Sequence, residues 1–153
     1  MIRILVFSDS HGKTEYMEKT CENMVGVDYI IHLGDHSKDA EYLELIFPEK
    51  NHYYVRGNCD FMAPEPYEMS FEIEGFKFYI THGHEYGVKT NMASLVKYAK
   101  DNKFDCVLFG HTHIAICEKI GEILFLNPGS ARETAGVIEI ESNEIKGCTF
   151  KIN

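Results

Sequence analysis

Five short bursts of Asp, His, Asn and Gly punctuate the chain. They are Ser8-Asp9-Ser10-His11-Gly12, Gly34-Asp35-His36, Gly57-Asn58-Cys59-Asp60, Thr81-His82-Gly83-His84 and Gly110-His111-Thr112-His113. Alone, each reads as ordinary turn chemistry with a solvated carboxylate or amide. Together they gather most of the 8 histidines, and burying that many polar rings without a partner would be costly. Metal binding gives them one. Imidazoles mixed with carboxylate and amide oxygens suit Mn, Fe, Zn, Ni or Co, whereas Ca and Mg favour oxygen alone. The absence of thiolates among the candidates argues against a closed structural zinc site. Asp9, His11, Asp35, Asn58, His82, His111 and His113 exceed what one ion uses, so two divalent ions are expected. A shared carboxylate can bridge ions about 3.5–4 Å apart and leave positions open for substrate.

The elements between the bursts explain how they could meet. Ile2 to Phe7 is a nearly continuous apolar run, as for a central strand covered on both faces. Met17, Cys21, Met24 and Val25 form a helical stripe closed by Gly26, and Tyr29 to Leu33 reads as a second buried strand. Leu43, Ile46 and Phe47 lie on a short helix stopped by Pro48, followed by a strand over His52 to Val55. This alternation predicts parallel β-α-β units. Farther on, Met69 to Glu74 alternates with period two and turns at Gly75 into Phe76 to Ile80, a hairpin signal. Met92, Leu95, Val96 and Ala99 mark another helix, Phe104 to Phe109 a strand. Two more hairpins turn at Ile120-Gly121 and Ser142-Asn143. The expected fold is α/β, a four-layer α-β-β-α sandwich of two mixed sheets with flanking helices, one domain over residues 1–153. In such sheets ligands collect beyond the carboxyl ends of the strands, where the bursts lie.

Composition narrows the setting. The 153 residues are 44% hydrophobic and 25% charged, with no apolar run long enough for a membrane span and too short an apolar N-terminus for a signal peptide. The 5 cysteines are scattered, without a C-x-x-C pair, so reduced thiols and a cytoplasmic location are expected. A net charge of −9 argues against an extended nucleic-acid surface or an anionic membrane. It does not exclude a phosphate substrate, because two bound cations would place positive charge inside the site itself.

In order, Asp9-x-His11, Gly34-Asp35, Gly57-Asn58-x-Asp60, His82-Gly83-His84 and Gly110-His111-x-His113 resemble the signature of calcineurin-like metallophosphoesterases, from residue 4 to about residue 130. Asn127-Pro128-Gly129-Ser130 is similar to the closing loop of the small bacterial and archaeal phosphodiesterase branch. The resemblance implies a small phosphate-ester substrate and two divalent ions, Mn²⁺ first, with Ni²⁺, Co²⁺, Fe²⁺ or Zn²⁺ as alternatives. It implies that Asp9, His11 and His113 hold one ion, that Asn58, His82 and His111 hold the other, and that Asp35 bridges. A hydroxide between the ions would then attack phosphorus in line.

Asn58, Cys59, Asp60 and His84 make up the implied catalytic set, Asp60 by orienting a neighbouring ligand and His84 by facing the phosphate or supporting a ligand. Larger members carry His where this chain, like the small branch, has Cys59. A thiol is a weaker proton donor at neutral pH than an imidazolium, so diesters with good leaving groups are the expected substrates; as a structural residue, Cys59 would be a small buried filler. His32 is expected in the core, His36 near the cleft rim, Tyr86 and Arg132 along the cleft and His52 at the periphery. Two other functions fit the same resemblance: a phosphomonoesterase, and a protein-binding scaffold like the retromer subunit of this fold. The hairpin edges also offer surfaces for a homodimer.

Overall fold

β1 is apolar at nearly every position because both its faces are covered. Ile4 and Val6 point to one side and meet Ile80, Leu108 and Leu126; Leu5 and Phe7 point to the other and meet Met17, Cys21 and Leu43. The computed structural model describes residues 1–153. In chain order the elements are β1 (Ile2–Phe7), α1 (Glu15–Asn23), β2 (Tyr29–His32), α2 (Ser37–Ile46), β3 (Asn51–Tyr54), β4 (Glu68–Ile73) and β5 (Phe76–Thr81). There follow α3 (Ala93–Asp101), β6 (Cys106–Leu108), β7 (Ile116–Ile120), β8 (Ile123–Asn127), β9 (Thr134–Glu141) and β10 (Glu144–Lys151), with a 3₁₀ turn at His84–Tyr86 before α3.

Two five-stranded sheets result, in the orders β10-β9-β1-β2-β3 and β4-β5-β6-β8-β7. Both are mixed. In the first sheet β1, β2 and β3 are parallel and β9 runs against β1; in the second β5, β6 and β8 are parallel and β4 runs against β5. One core lies between the sheets. A second lies under α1 and α2, and a third joins Tyr79, Val107 and Phe125 to Leu95 and Ala99 of α3. The expected four-layer order is what forms. No helix is long and apolar enough to cross a membrane, and all five cysteines are free.

One side chain departs from its expected place. Val25, assigned to the helical stripe, is 83% exposed. The helix ends at Asn23, Met24 is already extended, and the chain turns away at Gly26 with φ 73°. His32 is buried, as expected, and its environment fixes its proton. The Gly34 N–H donates to its Nδ1 at 3.1 Å, so Nε2 carries the hydrogen and meets Ser10 Oγ at 2.8 Å; Ser10 in turn donates to Asp39 Oδ2 at 2.6 Å.

Burial, only partly offset by the Asp39 carboxylate, lowers the His32 pKa to about 4. The unfolded chain therefore takes up this proton first as pH falls. The stability gained by keeping His32 neutral is complete above about pH 6.5 and is lost between there and about pH 4. For metal-free protein, the expected loss from this group between pH 7 and pH 5 is about 2 kcal/mol. Urea unfolding at the two pH values should show that much less loss in His32→Gln; identical pH dependence in both proteins would refute the assignment.

Candidate metal centre

The parallel strands of both sheets bring their carboxyl ends to one edge. The loops after β1 and β2 are tied by the Asp9 N–H to the Gly34 carbonyl at 2.9 Å, and those after β5 and β6 by the Gly110 N–H to the His82 carbonyl at 2.9 Å. His82 crosses between sheets and donates from Nδ1 to the Leu33 carbonyl at 2.8 Å. Its Nε2 is thereby directed at Asp35 Oδ2 at 3.4 Å and Asp9 Oδ1 at 3.8 Å, with His111 Nδ1 at 3.2 Å.

Two clusters of donors form. Asp9, His11 and His113 make one; Asp35, His82 and His111 make the other, and within each the donor atoms lie within 4.8 Å of one another. Nitrogen and oxygen donors around a single ion, at about 2.1 Å each, lie roughly 3.0–4.2 Å apart. Each cluster draws on both sheets, since Asp9, His11 and Asp35 follow β1 and β2 while His82, His111 and His113 follow β5 and β6. Asp35 Oδ2 also stands 3.9 Å from His11 Nε2, within reach of the other cluster.

The donors fit a pair of cations. Asp9 is fully buried, and its Oδ1 has no hydrogen-bond partner although His113 Nε2 is 3.2 Å away. A neutral His82 adds a lone pair beside the same carboxylates. Such a concentration of buried acceptors needs positive charge. Protons supply it when metal does not. Burial opposes an imidazolium at His82, but the hydrogen bond to Asp35 and the fields of Asp9 and Asp35 outweigh it and raise the pKa. Burial likewise opposes ionisation of Asp35, yet His82 and the Cys59 N–H hold its carboxyl well below the usual range. His111 is shifted down by burial, then by His82 and Lys89.

The backbone carries its own signature. Asp9, His11, Asp35, His111 and His113 all have positive φ, between 48° and 71°. Such values are uncommon outside glycine and recur where function demands a strained turn. Here they reverse the chain directly after each strand and aim both donors of each Asp-x-His or His-x-His pair inward. Two glycines make room. A Cβ on Gly57 would strike the Asp35 carboxylate and come within 2.6 Å of its backbone nitrogen; one on Gly110 would meet Asp9 Oδ2 at 2.8 Å.

The other candidates fall around the clusters. Asn58 is exposed at the mouth, its Nδ2 3.7 Å from Cys59 Sγ. Cys59 is also exposed, so the buried-filler reading does not hold; its N–H donates to Asp35 Oδ1 at 2.9 Å. Asp60 accepts four backbone bonds, from Asp35 and Gly57 at one oxygen and His36 and Ser37 at the other, all at 2.8–2.9 Å. It is a positioning residue that joins the loops after β2 and β3. His84 lies 5.5 Å from His82 and 6.1 Å from His111 between ring centres, and its buried Nδ1 is unpartnered. Tyr86 bonds Tyr79 and Glu68, His52 bonds the Phe47 carbonyl, and Arg132 is exposed.

Sequence reading missed Asp39, which also accepts the Gly12 N–H at 2.8 Å and faces His36 Nδ1 at 2.9 Å, bracing the loop that carries Asp9 and His11. Its only sequence signal is an acid in the first turn of α2, a common helix-dipole feature. Ser130, in the loop after β8, gives no sequence signal for the bond it makes; its hydroxyl donates to the Asp9 carbonyl at 2.9 Å.

Comparison with known proteins follows the same lines. The chain is 33% identical over 132 residues to YsnB of Bacillus subtilis, named a probable metallophosphoesterase, covering 86% of this chain and 76% of that one. It is 29% identical over 156 aligned positions to the phosphodiesterase YfcE of Escherichia coli, covering 85% and 79%. A crystal structure of a predicted phosphoesterase from Streptococcus pneumoniae superposes with a TM-score of 0.81 at 32% identity, covering 97% and 88%. Residues 2–142 match the calcineurin-like phosphoesterase superfamily domain. With its two mixed sheets, its paired His/Asp clusters and these likenesses, the chain is an enzyme of the calcineurin-like metallophosphoesterase superfamily, in the small phosphodiesterase branch.

Proposed function

We propose that the protein hydrolyses small phosphodiesters at a dinuclear centre. In this reading Asp9, His11 and His113 hold one ion and His82, His111 and the amide oxygen of Asn58 hold the other. Asp35 serves both. The observation that carries it is the meeting of two three-donor clusters at Asp35 Oδ2, beside a buried carboxylate oxygen of Asp9 with no partner. When bound, the ions supply a water acidic enough to react near neutral pH and positive charge opposite the phosphoryl oxygens. On the family resemblance manganese heads the candidates, followed by Ni²⁺, Co²⁺, Fe²⁺ and Zn²⁺; the four imidazoles among the seven ligands favour this transition-metal set over Ca²⁺ and Mg²⁺. The free thiols accord with a reducing compartment such as the cytoplasm.

The chain's own residues set the geometry. The Leu33 carbonyl fixes the His82 tautomer, Asp60 holds the two loops around Asp35, and Asp39 and Ser130 brace the loop of Asp9. At the mouth, Cys59 stands where larger members have a histidine. A strong general acid contributes roughly 10²–10⁴ in rate when the leaving group is poor. A site lacking one favours diesters that expel a stabilised phenolate.

The ratio of kcat/KM for an aryl diester to that for an alkyl monoester is therefore expected to exceed one, with little change in Cys59→Ala at equal metal loading. Cys59→His should raise the monoester rate relative to the diester rate. A wild-type preference for the monoester would overturn the diester reading. Loss of diester activity in Cys59→Ala with metal retained would make the thiol catalytic.

A further inference from the structure

Beside the donor clusters, a groove of about 360 Å³ runs past Thr112 in the 110–113 loop. Its volume sits at the small end of the range for small-molecule sites. The wall is apolar, built by Val88, Met92, Phe109, Ile114 and Ile116, with Lys89 as its single charged residue.

Two features connect this groove to the site. Thr112, which lines it, lies between His111 and His113, and Asn127 in its floor donates to Thr112 Oγ1 at 2.9 Å and to the Gly110 carbonyl at 3.1 Å. Val88 and Phe109 also pack over Gly83, the residue after His82. Groove and clusters therefore share one wall. Ile114 is 66% exposed, an isoleucine left open to solvent beside a polar centre.

Charge specifies more. The lysine–carboxylate pairs of the molecule lie at Lys50, Lys97 and Lys146 and leave Lys89 free, in a chain of net charge −9. An unpaired cation at an otherwise apolar groove complements a ligand that is apolar along its length and negative at one point.

We propose that this groove recognises the alcohol part of the substrate ester, and that this part is an apolar chain or ring bearing an acidic group that Lys89 meets. The assignment rests on the phosphoesterase reading of the adjoining centre and gives that reading a substrate class.

Three phosphonates that cannot be hydrolysed test it: methylphosphonate, hexylphosphonate and the ω-carboxylated analogue of hexylphosphonate. Calorimetric Kd values would be measured on the Mn²⁺-loaded protein. Wild type should bind the hexyl compound at least about tenfold more tightly than the methyl compound, from burial of several methylenes. The carboxylate should add about threefold, the scale of a partly exposed ion pair. Lys89→Gln should remove the carboxylate gain and keep the hexyl gain; Ile114→Ser should shrink the hexyl gain to below about threefold. Both positions are exposed, so folding is not at stake, and methylphosphonate gives each variant its own reference.

Equal affinity for methyl and hexyl compounds in wild type, or ratios untouched by either variant, would overturn the groove assignment. Its failure is separable from failure of the function: no turnover of any phosphodiester, with the ratios as expected, would sink the diester reading and leave the groove standing.

Discussion

Asp35→Asn is expected to fold normally and to lose about a thousandfold or more in phosphodiester turnover, a metal centre being worth several kcal/mol of transition-state stabilisation. The substitution is nearly isosteric. An amide oxygen can still accept the Cys59 N–H now received by Oδ1, and Asp60 still holds the Asp35 backbone. What disappears is the negative charge that faces His82 at 3.4 Å and His11 at 3.9 Å. Because that oxygen reaches both clusters, affinity for both ions should fall, and metal analysis after dialysis should find less than two equivalents. A variant with near wild-type rates in metal-limited buffer would show that Asp35 holds neither ion.

His82→Ala is a poor probe of the same centre. A ligand in a solvent-facing cleft could be truncated cheaply, but His82 is fully buried and its loss would strand the Leu33 carbonyl. His82→Asn keeps a donor for that carbonyl while removing the ring nitrogen that faces the clusters.

Chelation is expected to abolish activity and to lower Tm by roughly 5–10 °C for a chain of this length. That figure takes about 2.7 kcal/mol for one ion present at a hundred times its Kd. Each cluster takes donors from both sheets, so an ion held there would link the halves of the sandwich as well as serve the chemistry. Mn²⁺, Ni²⁺ or Co²⁺ should restore both Tm and rate; Ca²⁺, which accepts imidazole poorly, should restore neither. Full activity in EDTA with metal removed would rule out the metal mechanism, and an unchanged Tm would show that the ions do not brace the sheets.

How far the sequence could be read depended on whether the signal was local. β1 announced its double burial because Ile4 and Val6 serve one core and Leu5 and Phe7 another, leaving no polar position after Arg3. The hairpins at Gly75, Gly121 and Ser142-Asn143 were legible from alternation and turn residues for the same reason. Val25 was misplaced because periodicity runs on past the point where the helix stops.

At the site, residue types and their position after strands marked the six residues that form the two clusters, but not their surroundings. Nothing near His82 in sequence reports that a carbonyl 49 residues away fixes its tautomer, and nothing near Asp39 reports its bonds to Ser10 and Gly12. Those facts arise when two sheets close on each other. The groove beside Ile114 was invisible for the same reason, its lining coming from the loop after β6, from β7 and β8, and from the segment before α3.

The left-handed backbone at Asp9, His11, Asp35, His111 and His113 has a consequence for descent. These are conformations that asparagine and glycine enter with the least strain. Each non-glycine residue held there costs on the order of 1 kcal/mol or more. A duplicate of this gene freed from catalysis would thus find its stabilising substitutions among these five candidate ligands. Function would be shed from the centre outward while both sheets stayed intact, leaving a sturdier protein whose former active edge was free for other use.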